Sequence, residues 1–446
     1  MACTMTRSAL ARLAAVFAMT LAVQVLGASP AGAVPAFAAQ TALACQACHV
    51  GGFGPQLTPV GRNFKLHGYT QRMTELSVPL SAMAVASWLH TAKDQGASPA
   101  PGFRTNDNSA LDQVSLFLAG GVGSHLGGFV QATYDGVSRT YAWDNVDLRL
   151  TTDAQLKGLD LVLGLSLNNS PGVQDPWNTL PAWGFPYTDS ALAPAPAAAP
   201  LLSGALAQAS VGLTAYAWIN SEIYLEGGVY GSPGATTLSR LGADPFDPGD
   251  IDGLAPYLRA AWQASVRGGT LEAGAVAFGA DIRPDRDRTT GRADRYVDLG
   301  LDASYQRPLH NGDLLTINGR YLHEQRRLAA TCALAGGPGN CPNGDLDEAR
   351  LDAAYYWRGK FGITAAAFDL RGASNPLLYP DARGFRPDSS GLMFQLDATP
   401  FGDGPQPARR ANLRIGAQYT LYTRFDGAGA KASDNNTLRL FTWLAF

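Results

Sequence analysis

From position 112 to the C-terminus, apolar and polar residues alternate in segments of about ten residues separated by turns. Val297, Leu299, Leu301, Ala303 and Tyr305 share one face, opposite Asp298, Gly300, Asp302 and Ser304. Leu413, Ile415, Ala417, Tyr419 and Leu421 oppose Arg414, Gly416, Gln418, Thr420, Tyr422 and Arg424. Val146, Leu148 and Leu150 oppose Asn145, Asp147, Arg149 and Thr151, and Ile223, Leu225 and Val229 oppose Glu222, Tyr224, Glu226 and Tyr230. A period of two predicts strands with one apolar face. Each is long enough to cross a bilayer when tilted.

Two architectures carry that pattern. In a soluble β-protein the apolar face packs inward, and in a membrane barrel it faces lipid. The connections favour the barrel, because long and short ones alternate. Long ones fall at 168–203, 231–253, 283–293, 325–346, 372–389 and 426–435. Tight ones fall near Asn220–Ser221, Arg267–Gly269, Pro308–Asp313 and Arg358–Lys360. Tyr141, Trp143, Tyr305, Tyr356, Trp357, Tyr419, Tyr422 and Trp443 lie near strand ends, where an aromatic girdle would sit. The last strand, Leu438 to Phe446, closes on a terminal Phe and resembles the assembly signal of bacterial outer-membrane proteins. If the long loops are extracellular, the strand near Gln113 runs inward, so 79–91 must supply an earlier one. The expected fold is an all-β, antiparallel outer-membrane barrel of about 16 strands, with a lumen wider than packed side chains fill.

Composition narrows the reading further. The chain has 446 residues, 46% hydrophobic and 16% charged, which does not suit disorder. Its net charge of −3 gives no footing for nucleic-acid binding. Arg7 and Arg12, the apolar run from Leu13 to Leu26, and Ala31-Gly32-Ala33 predict a signal peptide over 1–33. No later apolar run approaches the 20 or so residues of a membrane helix. The expected division is a signal peptide (1–33), a small segment rich in Cys, His and Gly (34–78), and the barrel (79–446). Cys332 and Cys341, with eight residues between them in one exported loop, read as a local disulfide.

Cys45-Gln46-Ala47-Cys48-His49 is a C-x-x-C-H sequence, the attachment site of c-type haem. Two thiols add across the vinyl groups of one porphyrin edge, and the next residue presents imidazole to the iron. One covalent haem is therefore expected, with His49 as the proximal ligand. The sixth ligand is open among His67, Met73, Met83 and His90. Strand parity over 79–91 points Ser81, Met83, Val85 and Ser87 into the lumen and prefers Met83, with His90 nearer the outer rim. Phe53, Phe64 and Tyr69 could pack on the porphyrin, and Arg62 and Lys65 could neutralise its propionates. Asp147, Asp298 and Asp302 read first as polar lumen lining, and as lumen-facing carboxylates they could also attract a cation. No G-x-S-x-G, H-E-x-x-H or phosphate loop suggests hydrolase chemistry.

With these residues in place, the stretch Phe37 to Thr70 resembles the N-terminus of the fused monohaem cytochrome–porins. That family includes the outer-membrane iron(II)-oxidising c-type cytochromes of iron-oxidising bacteria. Pro79 to Thr91, Trp143 to Leu150 and Asn168 to Tyr187 are similar too, so the resemblance spans nearly the whole mature chain. It implies a haem segment in or near the lumen of a barrel of about 16 strands. It also implies electron uptake from an extracellular donor, iron(II) for some members, and delivery to a periplasmic cytochrome. As an enzyme, such a protein would be an iron(II):cytochrome c oxidoreductase. Cys45, Cys48 and His49 carry over directly, whereas the distal ligand does not. Two alternatives stay open: the same conduit serving another donor, and a solute porin whose haem is structural or sensory.

Overall fold

The computed structural model describes residues 36–73, 79–336, 344–403 and 411–446. The expected signal peptide, the end of the 34–78 segment and Cys341 lie outside these residues. Cys332 is disulfide-bonded.

Seventeen strands form one antiparallel sheet that closes on itself. The first, Leu80–Thr91, pairs with Asn108–Val122 on one side and with the last, Thr437–Ala445, on the other. Sixteen strands make the wall, as expected. The extra one is the two-residue strand Asp250–Ile251, paired at the end of Gly269–Arg283. The tight connections fall where the turn residues place them. Arg267 and Gly268 both have left-handed φ, 47° and 76°, so a two-residue loop joins Ala255–Val266 to Gly269–Arg283.

Burial is inverted relative to a water-soluble protein. Leu299 and Leu301 are 51% and 63% exposed, while Asp298 and Asp302 on the opposite face are 0% and 5% exposed. Leu225 and Val229 are likewise exposed, and Glu226 and Tyr230 buried. Apolar side chains outside and charges inside are stable only against hydrocarbon. The soluble reading is therefore excluded, and the chain is an outer-membrane barrel. Leu301 lies midway along Asp294–Pro308. Leu301→Arg is expected to destabilise the folded barrel by about 2–4 kcal/mol, measured by urea titration in liposomes.

The girdle expectation needs correction. Tyr141, Trp357 and Tyr419 are exposed, but Tyr356, Tyr422 and Trp443 are buried on the lumen side. Trp443 shares the parity of Arg439 and Phe441, which also point inward.

Two segments fill the lumen. One is 36–73, which lies at the end where the chain enters the first strand. The other is the long loop 169–210, buried almost throughout Asn169 to Leu180. Arg259, fully buried on the wall, holds this loop: its Nη2 is 3.1 Å from Asp175 Oδ1 and its Nη1 2.8 Å from Asp302 Oδ1. The Asp175 carboxylate in turn accepts the backbone N–H groups of Trp177 and Thr179. Leu202 N–H donates to Asp298 at 2.8 Å and Leu201 N–H to Glu324 at 2.6 Å. A polar lumen wall thus binds a polar loop, and buried charges find partners on it.

Candidate functional site

The segment 36–73 is built around short helices. Cys45–Cys48 is a single helical turn, so both thiols share one side of it. His49 follows in extended backbone and bridges to Leu57. Thr58 then caps the helix Pro59–Leu66: its hydroxyl accepts from Gly61 N–H, with Pro at the first helical position. Thr58 Oγ1 also donates to Ala47 O at 2.5 Å, and its N–H to Cys48 O at 2.9 Å. A Cβ at Gly61 would run into the Cys48 carbonyl, so only glycine lets this helix lie so close to the Cys turn.

Barrel side chains hold the segment in place. Arg414 Nη1 donates to Phe53 O at 2.7 Å, and Asn412 Nδ2 to Gly52 O at 2.9 Å. Tyr69 OH donates to Asp147 Oδ2 at 2.7 Å, and Tyr216 OH to Leu66 O at 2.6 Å. Loop 169–210 closes over the other side. Lys65 Nζ donates to Val173 O (2.7 Å) and Asn178 Oδ1 (2.9 Å), and Tyr187 OH to Gln56 Oε1 (2.8 Å).

Between segment, loop and wall lies a cavity of about 760 Å³, within the range of cofactor sites. Cys45, Cys48 and His49 all line it, and both thiols are free. Its walls near them are apolar and aromatic: Phe37, Phe53, Leu57, Phe64, Trp183 and Trp443. Burial pushes the His49 imidazole down to about 4, so it stays neutral with a lone pair available. The backbone of Gly54 offsets part of that shift, but Nδ1 makes no hydrogen bond among the described residues. Burial, with Cys45 adjacent, pushes the Cys48 thiol up to about 11. These features fit the group that the C-x-x-C-H spacing implies: two thiols, one neutral imidazole and a dry slot beside them.

The structure separates the candidates for the sixth position. Met83 lines the same cavity, and Trp443 Nε1–H donates to its sulfur at 3.3 Å. His67 and His90 do not line it. His67 Nδ1–H donates to Asn63 O, and its Nε2 is 3.6 Å from Asp153. His90 stacks on Trp88 and pairs with Asp107 at 3.0 Å. Met73 is 79% exposed.

Of the two candidate propionate partners, Lys65 lines the cavity and Arg62 does not. Arg62 Nη1 is spent on Leu57 O and Gln306 Oε1, each at 3.0 Å. Burial, and then Arg149 nearby, pushes Lys65 down to about 7. Asp147, Asp298 and Asp302 face inward as expected but lie off the cavity. Asp147 pairs with Arg149, and Asp302 with Arg259. Sequence reasoning missed Trp443, Trp183 and Phe37 as cavity walls. Lumen-side parity was a usable signal for Trp443, and none existed for the other two.

Fold and site together define a plugged outer-membrane barrel with a half-buried C-x-x-C-H turn at its inner end. No family model and no curated relative matches the chain. Among solved structures it is similar to the outer-membrane expressed OmpT of Vibrio cholerae, at 10% identity and TM-score 0.44, over 82% of this chain and 97% of that one. It is similar to OprB of Pseudomonas putida at 13% identity and TM-score 0.48, over 82% and 93%. A porin structure at 11% identity and TM-score 0.41 aligns over 82% and 99%.

Proposed function

We propose that this protein carries electrons across the outer membrane through one covalent haem, oxidising extracellular iron(II) and reducing a periplasmic c-type cytochrome. The observation that carries the reading is the shared cavity: Cys45, Cys48, His49 and Met83 all open into one space inside a plugged barrel. A plug suits a conduit for electrons better than a pore for solutes.

Haem, when bound, supplies a one-electron couple between ferric and ferrous iron. The chain supplies the rest. Cys45 and Cys48 would hold the group through two thioethers, and His49 would offer it a neutral imidazole. Trp443 holds the Met83 thioether by a hydrogen bond, and Phe53 packs on Trp443 at 4.7 Å between ring centres. Phe37 and Phe64 give the slot apolar walls. Each iron(II) loses one electron to become iron(III), and one oxidised periplasmic cytochrome gains that electron.

The test is rapid anaerobic mixing of Fe²⁺ with oxidised holoprotein in detergent, following the haem α-band. Stoichiometric reduction within about a second supports the reading. Reduction by dithionite but not by Fe²⁺ overturns iron as donor. Met83→Ala is expected to lower the reduction potential and abolish sulfur-to-iron charge-transfer absorption, because a thioether ligand raises the potential. An unchanged potential and spectrum would remove Met83 from the iron.

A further inference from the structure

The cavity does not end at the Cys turn. It follows the wall formed by the first strands, from Met83 at the inner end to Asp135 and Val137 at the outer turn. Its character changes on the way. The inner part is aromatic, and the outer part is lined by Gln113, Gln131, Thr133 and four aspartates: Asp112, Asp135, Asp144 and Asp189. Lys65 is the one cationic side chain among the lining residues, and it sits at the inner end beside Asn178.

The aspartates are held differently. Asp144 accepts from Thr133 Oγ1 at 2.6 Å and from Asn145 at 3.0 Å. Asp135 caps its own turn by accepting Val137 N–H at 2.7 Å. Asp112 has a side chain only 6% exposed; Oδ2 pairs with Arg439 at 2.9 Å, while Oδ1 is buried with no hydrogen-bond partner among the described residues. Asp189 is exposed on loop 169–210. A buried carboxylate oxygen without a donor, in an acidic passage, calls for a cation or its hydration water. No three metal-ligating groups converge among the described residues, so the ion would pass through rather than be caged.

We propose that this outer arm is a cation-selective access passage, through which a small hydrated divalent cation reaches the C-x-x-C-H cavity while anionic donors are held out. The proposal rests on the electron-transfer reading for its purpose, but its own test does not need the haem. Asp112, Asp144 and Asp189 are specificity-determining residues in it, acting through charge on whatever enters.

The test places a reporter in the passage. Gln113→Cys sits between Asp112 and Asp144 on the lining. Intact cells are treated with cationic and anionic methanethiosulfonates of matched size, and modification at position 113 is read by the mass of its peptide. The cationic reagent is expected to react about tenfold faster. Adding Asp144→Asn and Asp189→Asn is expected to bring the two rates close to parity. If that combination does not fold, judged by SDS-resistant migration, Asp189→Asn alone, on the exposed loop, is expected to narrow the ratio.

Equal rates in the parent, or no reaction from outside with either reagent, overturn the passage. In the protein without the reporter, Asp144→Asn with Asp189→Asn is expected to slow haem reduction by Fe²⁺ about tenfold and to leave reduction by neutral hydroquinone unchanged. A charge-selective passage in a protein whose haem Fe²⁺ does not reduce would keep the passage and overturn only the iron reading.

Discussion

Cys45→Ala with Cys48→Ala is expected to abolish covalent haem and reduce Fe²⁺-driven electron transfer at least about a hundredfold, with the barrel still folded. Haem staining after denaturing electrophoresis reads the first effect, and SDS-resistant migration of unheated protein reads the third. The physical basis is simple. Both thiols are on one helical turn, free and lining one cavity, and no other free thiol occurs among the described residues. A single substitution leaves one thioether and is expected to shift the α-band without removing the stain. Staining that survives loss of both cysteines would overturn the attachment.

The second large effect concerns the plug. Arg259→Gln is expected to cost about 3–5 kcal/mol, because it leaves Asp175, Glu272 and Asp302 buried without their shared cation. Urea titration of the folded barrel measures that loss. Loop 169–210 hangs on Asp175, so planar-bilayer conductance is expected to rise in the same variant. A destabilised barrel with unchanged conductance would mean that the loop is held by its other contacts, at Leu201 and Leu202.

The wall of this protein was readable from its sequence because lipid enforces it. A Leu at 299 and an Asp at 298 cannot exchange faces without putting charge into hydrocarbon, so alternation alone assigns both. The tight turns were readable for the same reason as any hairpin. The C-x-x-C-H spacing was visible in the sequence, and the structure brings its two thiols and its imidazole to one cavity. Parity then placed Met83 on the correct side of its strand.

What lies inside the wall was not readable. Asn169 to Leu180 reads as a surface loop, rich in Asn, Gly, Pro and Asp, and polar loops ordinarily run on surfaces. Here the buried surface is itself polar, so polarity does not say which side of the mouth the loop takes. The same ambiguity left open whether the lumen-facing carboxylates attract a cation or only line the wall. Asp302 faces the lumen, but its partner Arg259 lies 43 residues away and leaves it no freedom to attract an ion. Asp189 is attached to the loop rather than the wall, so no strand period marks it. Trp443 was placed in the girdle because it is aromatic and near a strand end, although its parity matches Arg439.

The seam of the barrel has a consequence for how the molecule is made. The first and last strands pair with each other, and residues 36–73 are packed inside the cylinder they close. Cys45 is buried there, under the wall and the loop. An enzyme that modifies that thiol needs to reach it while the polypeptide is still open in the periplasm. On the haem reading, attachment therefore precedes zipping of the seam, and the C-terminal strand carrying Trp443 closes the cavity afterwards.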